Sequence, residues 1–168
     1  MMPRLRHLPI LAALTACLVV PPASAAPSLE LGSTSEGTPA VGLKFDWMHD
    51  LSDWHPALDL RLATGLLLLP GDDGDDNAAW TLTPALRYSF AGGSAFLEAG
   101  VGAGLFLETQ LESQRLSTAF QFENRLALGM RFAFGGELGA SAAHYSNARL
   151  DLPNEGFEIY SLIYRQPL

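Results

Sequence analysis

From Trp80 to Phe90 the chain alternates residue by residue. Trp80, Leu82, Pro84, Leu86, Tyr88 and Phe90 fall on one side, and Thr81, Thr83, Ala85, Arg87 and Ser89 on the other. A repeat of two is the signature of a β-strand. The same pattern returns along the chain. Val41, Leu43, Phe45 and Trp47 oppose Gly42, Lys44 and Asp46; Leu58, Leu60 and Leu62 oppose Asp59 and Arg61. Leu97, Ala99, Val101, Ala103 and Leu105 oppose Glu98, Gly100, Gly102 and Gly104. Phe120, Phe122, Leu126, Leu128, Met130 and Phe132 oppose Gln121, Glu123, Arg125 and Arg131. The pattern predicts eight strands, over 28–34, 39–48, 55–67, 79–90, 95–107, 118–134, 137–147 and 157–166. The connections after the second, fourth and sixth strands are short: Leu51-Ser52-Asp53, Ala91-Gly92-Gly93 and Gly135-Gly136. Pro70 to Asn77 and Thr109 to Ser117 are longer and polar.

A soluble β-sandwich or a lipocalin-like barrel also alternates. The sidedness separates these folds. One face keeps large apolar residues along nearly its full length. The other carries Lys44, Asp46, Asp59, Arg61, Arg87, Glu98, Glu123, Arg125 and Arg131. A soluble protein would have to bury those charges, which is costly. In lipid the outside must be apolar and the inside can hold paired charges. The expected fold is all-β, an eight-stranded antiparallel transmembrane β-barrel of the bacterial outer membrane, with its short turns periplasmic. Eight strands enclose only enough space for their own side chains, which argues against a general porin. Function then belongs to the loops or the outer wall.

The chain has 168 residues, enough for one domain. Arg4 and Arg6, the apolar run Leu8 to Val20 and the small residues Ala23-Ser24-Ala25 have the layout of a secretory signal peptide. This divides the chain into a signal peptide over 1–25 and a barrel domain over 26–168. Leu14-Thr15-Ala16-Cys17 resembles a lipobox, but apolar residues follow Cys17 where a lipoprotein continues with a polar tether. Cys17 is the single cysteine, so the mature chain has no disulfide, thiol nucleophile or cysteine metal site. Cleavage removes two arginines and no acids, leaving eight basic against eighteen acidic residues and a charge of −10. So acidic a chain is not expected to bind nucleic acid. The run Asp72-Asp73-Gly74-Asp75-Asp76 lacks the further ligands and terminal glutamate of an EF-hand loop, and reads as a solvated loop. No metal or other cofactor is expected.

Chemistry concentrates near the C-terminus. Leu138, Ala140, Ala142, His144 and Ser146 share one face of their strand, and Gly139, Ser141, Ala143 and Tyr145 share the other. The first set faces lipid, where polar groups are costly and tend to be functional. His144 and Ser146 stand about 7 Å apart along the strand, a gap an imidazole largely bridges. On the next strand Glu158 shares parity with Tyr160, Leu162 and Tyr164, and so points outward too. Nucleophile, base and orienting acid are then within reach of one another. All three lie at the extracellular ends of their strands, at the level of the outer leaflet. Polar residues also mark membrane interfaces, and the pattern alone does not choose between these readings.

The wider motif narrows the choice. His144-Tyr145-Ser146-Asn147-Ala148, then Leu150, Pro153-Asn154, Gly156, Glu158 and Tyr160-Ser161-Leu162, resemble the lipid A 3-O-deacylase family. Phe122-Glu123-Asn124-Arg125 and Phe96-Leu97-Glu98-Ala99-Gly100 are similar to it as well. The resemblance is sharpest over 119–166. It implies hydrolysis of the ester-linked 3-hydroxyacyl chain at position 3 of lipid A, with Ser146 as nucleophile, His144 as general base, Glu158 orienting it and Asn147 stabilising the oxyanion. Asn147 has the wrong parity to join Ser146 unless the strand twists or ends there. Asp151 and Glu155 are rival acids on a loop. Phe122, facing outward beside Ser146, is a substrate-contact candidate as well as a plain lipid-facing residue. Arg149 stands where a small residue, often glycine, is expected; it reads as an exposed surface arginine or a contact to a lipid A phosphate. The implied partners are lipid A (lipopolysaccharide) as substrate and outer-membrane lipids, with a homodimer left open. A non-catalytic barrel serving adhesion or envelope structure is the competing function, and an acyltransferase or phospholipase a third.

Overall fold

The computed structural model describes residues 25–71 and 76–166. The signal peptide expected over 1–25 (all but its last residue), Cys17 within it, residues 72–75 of the acidic run and residues 167–168 lie outside the described residues. The strands are β1 (Ala26–Thr34), β2 (Pro39–Asp50), β3 (Leu58–Leu69), β4 (Asn77–Phe90), β5 (Ala95–Phe106), β6 (Gln110–Leu111), β7 (Gln114–Arg115), β8 (Phe120–Arg131), β9 (Glu137–Ser146) and β10 (Phe157–Arg165). Eight of them close into a barrel in the order β1-β10-β9-β8-β5-β4-β3-β2. Every neighbour is antiparallel, and β1 seals the cylinder against β10 with Leu31 opposite Leu162. Closure removes the free edges that would otherwise expose backbone groups to lipid.

Each expected barrel strand is present, with ends shifted by three residues at most. The shifts have local causes. Apolar alternation runs on into Phe132 and Phe134, but the backbone there already turns, with Phe132 N–H donating to Gly136 O and Gly135 N–H to Phe132 O. The unexpected element is the β6–β7 hairpin, inside a stretch read as a plain polar loop. Leu111 and Leu116 are each 1% exposed and drop into the barrel mouth. Asn77 Nδ2 ties the hairpin down by donating to Glu108 O and Gln110 O.

Sidedness is as the alternation requires. Leu126, Leu128 and Leu162 lie exposed on the outer wall, while Arg61, Arg87, Glu98 and Glu123 are buried inside. The interior has two storeys. Toward the short turns, Arg87 holds Glu137 with two hydrogen bonds of 2.9 and 2.7 Å and reaches Glu98 at 3.2 Å. Arg165 joins Glu137 at 2.6 Å, and Arg61 joins Asp46 and Glu98. Toward the long loops the filling is apolar. Phe106, Tyr145 and Phe157 pack ring on ring, with centroids 5.4–5.7 Å apart. Leu67, Leu69, Leu111, Leu116 and Ile159 surround them. The hydroxyl of Thr83 and the carboxylate of Glu123 meet between the storeys.

Candidate active site

On β9 the outward face reads Leu138, Ala140, Ala142, His144, Ser146, while Ala143 and Tyr145 are buried inside. The ladders on either side fix what flanks each residue. His144 stands between Asn124 of β8 and Glu158 of β10. Ser146 stands beside Phe122 of β8. All three expected catalytic residues therefore meet on one patch of the outer wall, at the loop end of the barrel.

Glu158 Oε1 lies 2.9 Å from His144 Nδ1, with the two side chains 42% and 43% exposed. A carboxylate only accepts, so this contact places the ring proton on Nδ1 and leaves the Nε2 lone pair as a base. Ser146 is half-buried, and among the described residues its hydroxyl has no hydrogen-bond partner. Gly156 closes the patch on the loop side. Its φ is +65°, and a Cβ there would come within 2.9 Å of Tyr145 O, 3.2 Å of His144 Cε1 and 3.4 Å of Ser146 Cβ. Only a glycine lets the chain return so closely over the imidazole.

Below the polar patch the outer wall of β9 is shallow. Ala142 lies between Leu126 and Tyr160, and Ala140 between Leu128 and Leu162. Small residues on the middle strand and large ones on both neighbours form an apolar groove leading away from His144. Phe122 stands at its head, packed edge-on against Phe120 with centroids 4.9 Å apart.

The loop after Ser146 differs from expectation. The strand ends at Ser146, yet Asn147 still turns inward and is fully buried. Its Nδ2 donates to Leu116 O at 2.9 Å and to Asp151 O at 3.0 Å, and its Oδ1 accepts from Arg149 N–H at 2.8 Å. Its backbone N–H donates to Asn154 Oδ1 at 2.9 Å. Every polar group on the Asn147 side chain thus holds the loop. The rival acids are engaged elsewhere: Glu155 Oε2 accepts from Arg115 N–H at 2.5 Å, and Asp151 Oδ1 from Leu152 N–H at 2.8 Å. Arg149 is exposed and has φ +66°, next to Ala148 at +53°, which explains why a glycine suits position 149.

Two participants escaped the pattern. The β6–β7 hairpin is bound to this loop through Leu116 O and through Ser117 Oγ, which donates to Pro153 O at 2.7 Å. Asn154 was visible only as part of the motif Pro153-Asn154, with no sign of what it would touch. Among the described residues no group of three or more His, Cys, Asp or Glu side chains could hold a metal ion.

Comparison with known proteins agrees with this geometry. Residues 27–167 match the family model described as lipid A 3-O-deacylase (PagL). The chain is 36% identical over 181 residues to the lipid A deacylase PagL of Pseudomonas aeruginosa, covering 99% of this chain and 100% of that one. It is 35% identical over 81 residues to the lipid A deacylase PagL of Bordetella bronchiseptica, covering 48% of this chain and 45% of that one. Among solved structures, the crystal structure of the outer membrane enzyme PagL superposes with a TM-score of 0.76 at 32% identity, over 85% of this chain and 99% of that one. A family match along almost the entire barrel, joined to this identity and this shared architecture, places the chain in the lipid A 3-O-deacylase (PagL) family of outer-membrane β-barrels.

Proposed function

We propose that the protein hydrolyses the ester-linked 3-hydroxyacyl chain at position 3 of lipid A, from the outer leaflet, with Ser146, His144 and Glu158 as nucleophile, base and orienting acid. The observation that carries this reading is the 2.9 Å His144–Glu158 contact beside Ser146 on the lipid-facing wall. A hydrolase for a membrane lipid needs its reacting groups where the lipid already is, and an outer wall provides that without extracting the substrate.

The chemistry follows from the donors and acceptors. His144 Nε2 takes the Ser146 hydroxyl proton as Oγ bonds to the ester carbonyl carbon. The tetrahedral adduct collapses with cleavage of the bond to the sugar oxygen, which receives that proton from the imidazolium. Water, deprotonated by the same nitrogen, then attacks the acyl-serine, and the 3-hydroxy fatty acid leaves as Ser146 Oγ regains a proton. Glu158 keeps the ring in the working tautomer and stabilises its charged form. The groove over Ala142 and Ala140 suits the acyl chain, with Phe122 against its first carbons. Asn147 supports the site by fixing the loop after Ser146. A direct oxyanion role for it would require releasing Leu116 O or Asp151 O.

Mass spectrometry of lipid A from cells with and without the protein tests this. Loss of one 3-hydroxyacyl chain is expected with the wild type and none with Ser146→Ala. The non-catalytic reading predicts no difference between the two. Recovery of the acid free rather than attached to an acceptor separates hydrolysis from acyl transfer.

A further inference from the structure

We infer that Asn124 sets a preference for 3-hydroxyacyl esters by hydrogen-bonding the hydroxyl of the acyl chain. The inference rests on the deacylase reading, with the ester held at Ser146, and adds a specificity-determining residue to that reaction.

Asn124 shares parity with Phe122, Leu126 and Leu128 on β8 and is exposed on the outer wall. An amide facing lipid is costly unless something bonds it. Two other polar residues of that wall are served by the wall itself. Ser33 Oγ donates to Thr34 O at 3.1 Å, and Thr64 Oγ1 donates to Thr81 O at 2.8 Å. The Asn124 carboxamide has no partner among the described residues. Depth does not account for it: its neighbour at the same level on β5 is Val101, an apolar residue exposed to lipid. Its neighbour on the other side is His144, whose Nδ1 is taken by Glu158 from β10.

The β8 rim of the groove reads Phe122, Asn124, Leu126, Leu128 from the loop end inward. Asn124 is the one polar step in this rim. It lies one outward position, about 7 Å, membrane-ward of the Phe122–Ser146 pair. An acyl chain running from Ser146 over Ala142 passes it within the first few carbons. The substrate carries its hydroxyl there, on the second carbon beyond the ester carbonyl. A carboxamide offers both donor and acceptor, and a hydroxyl takes either. An unhydroxylated chain displaces water from the amide and returns no bond, so the site rejects the substrate that lacks the partner.

Two synthetic lipid A analogues test this, identical except at position 3. One carries a 3-hydroxyacyl ester there and the other an unhydroxylated ester of the same length. Wild type, Asn124→Ala and Asn124→Leu are purified as folded barrels in detergent, checked by heat-modifiable gel migration, and assayed on both. Each substitution puts an apolar residue on a lipid-facing position, which the barrel wall favours. Wild type is expected to prefer the hydroxylated ester in kcat/KM by about tenfold. Both variants should bring that ratio to within about twofold of unity, and Asn124→Ala should do so by losing activity on the hydroxylated ester alone. Leucine also crowds the groove, but crowding slows both esters together and leaves the ratio as the readout. A wild type without preference overturns the proposal. So do variants that keep the wild-type ratio, including a parallel fall on both esters, which would mark Asn124 as a support for His144. Failure of wild type to cleave either ester, or an active Ser146→Ala, would instead strike at the deacylase reading beneath it.

Discussion

Toward the short turns, the barrel is filled by Arg61, Arg87 and Arg165 sharing Asp46, Glu98 and Glu137. Toward the long loops, the same cylinder is filled by Phe106, Tyr145, Phe157 and the leucines of the β6–β7 hairpin. The difference separates two tasks. The charged storey is a lattice of mutually dependent partners, in which removing one leaves others buried and unpaired. It braces the wall from inside, apart from the proposed reacting groups on the outer face. The apolar storey is a plug that carries loops, and the loops hold the segment 147–156 against Ser146. The proposed reacting groups stand outside the apolar storey, on a wall whose register is kept by ladder bonds running the length of the strands.

This comparison predicts that activity and stability are lost independently. The largest effect belongs to the catalytic wall. Ser146→Ala should abolish turnover, a drop of about 10⁴-fold or more, while urea unfolding in lipid vesicles stays at the wild-type midpoint. A coincident fall in stability would blur the separation. Glu158→Gln comes next. It keeps the shape and loses the charge, and a kcat decrease of about 10²–10⁴ is expected. An unchanged kcat would remove Glu158 from the orienting role and reopen the case for Asp151 or Glu155. In the charged storey, Arg87→Leu should cost about 3–5 kcal/mol of stability by stranding Glu137 and Glu98, with kcat of the folded fraction preserved. A selective loss of kcat there would show that the two storeys are coupled.

The plug lies between these extremes. Leu116→Ala opens a cavity under the hairpin and should cost about 2–3 kcal/mol. Because Leu116 O holds Asn147, a several-fold fall in kcat is expected as well, through loosening of the loop. The smallest effect is Arg149→Gly. It relieves a left-handed backbone, a gain offset by the greater chain entropy that glycine loses on folding, so a stability change within about 1 kcal/mol is expected. Deacylation should persist, and a large drop would turn the exposed arginine into a substrate contact.

The alternation of residues by itself settled the strands, their facing and the height of the site. It could do so because lipid demands an apolar exterior from every barrel strand, so parity alone tells inside from outside. Arg87 and Glu123 were legible as interior, and His144, Ser146 and Glu158 as exterior, from position within the repeat. The motif Pro153-Asn154 and the glycine at 156 were visible as residues, without any sign that Asn154 anchors the Asn147 backbone or that Gly156 lies against the imidazole.

What only the tertiary structure decided was register and loop packing. Period two says which face a residue occupies, not which residue on the next strand it meets. That Glu158 stands opposite His144, within 2.9 Å, is a property of the β9–β10 ladder. Likewise nothing local marks Leu111 and Leu116 as a plug, since their burial depends on a mouth lined by residues of β2, β3, β4, β5, β9 and β10. Asn147 shows the limit most sharply. Its parity already pointed inward, against the oxyanion role its place in the motif implies. The folded loop keeps it inward, because Leu116 O and Asp151 O, contributed from elsewhere in the chain, consume the hydrogens it would have donated.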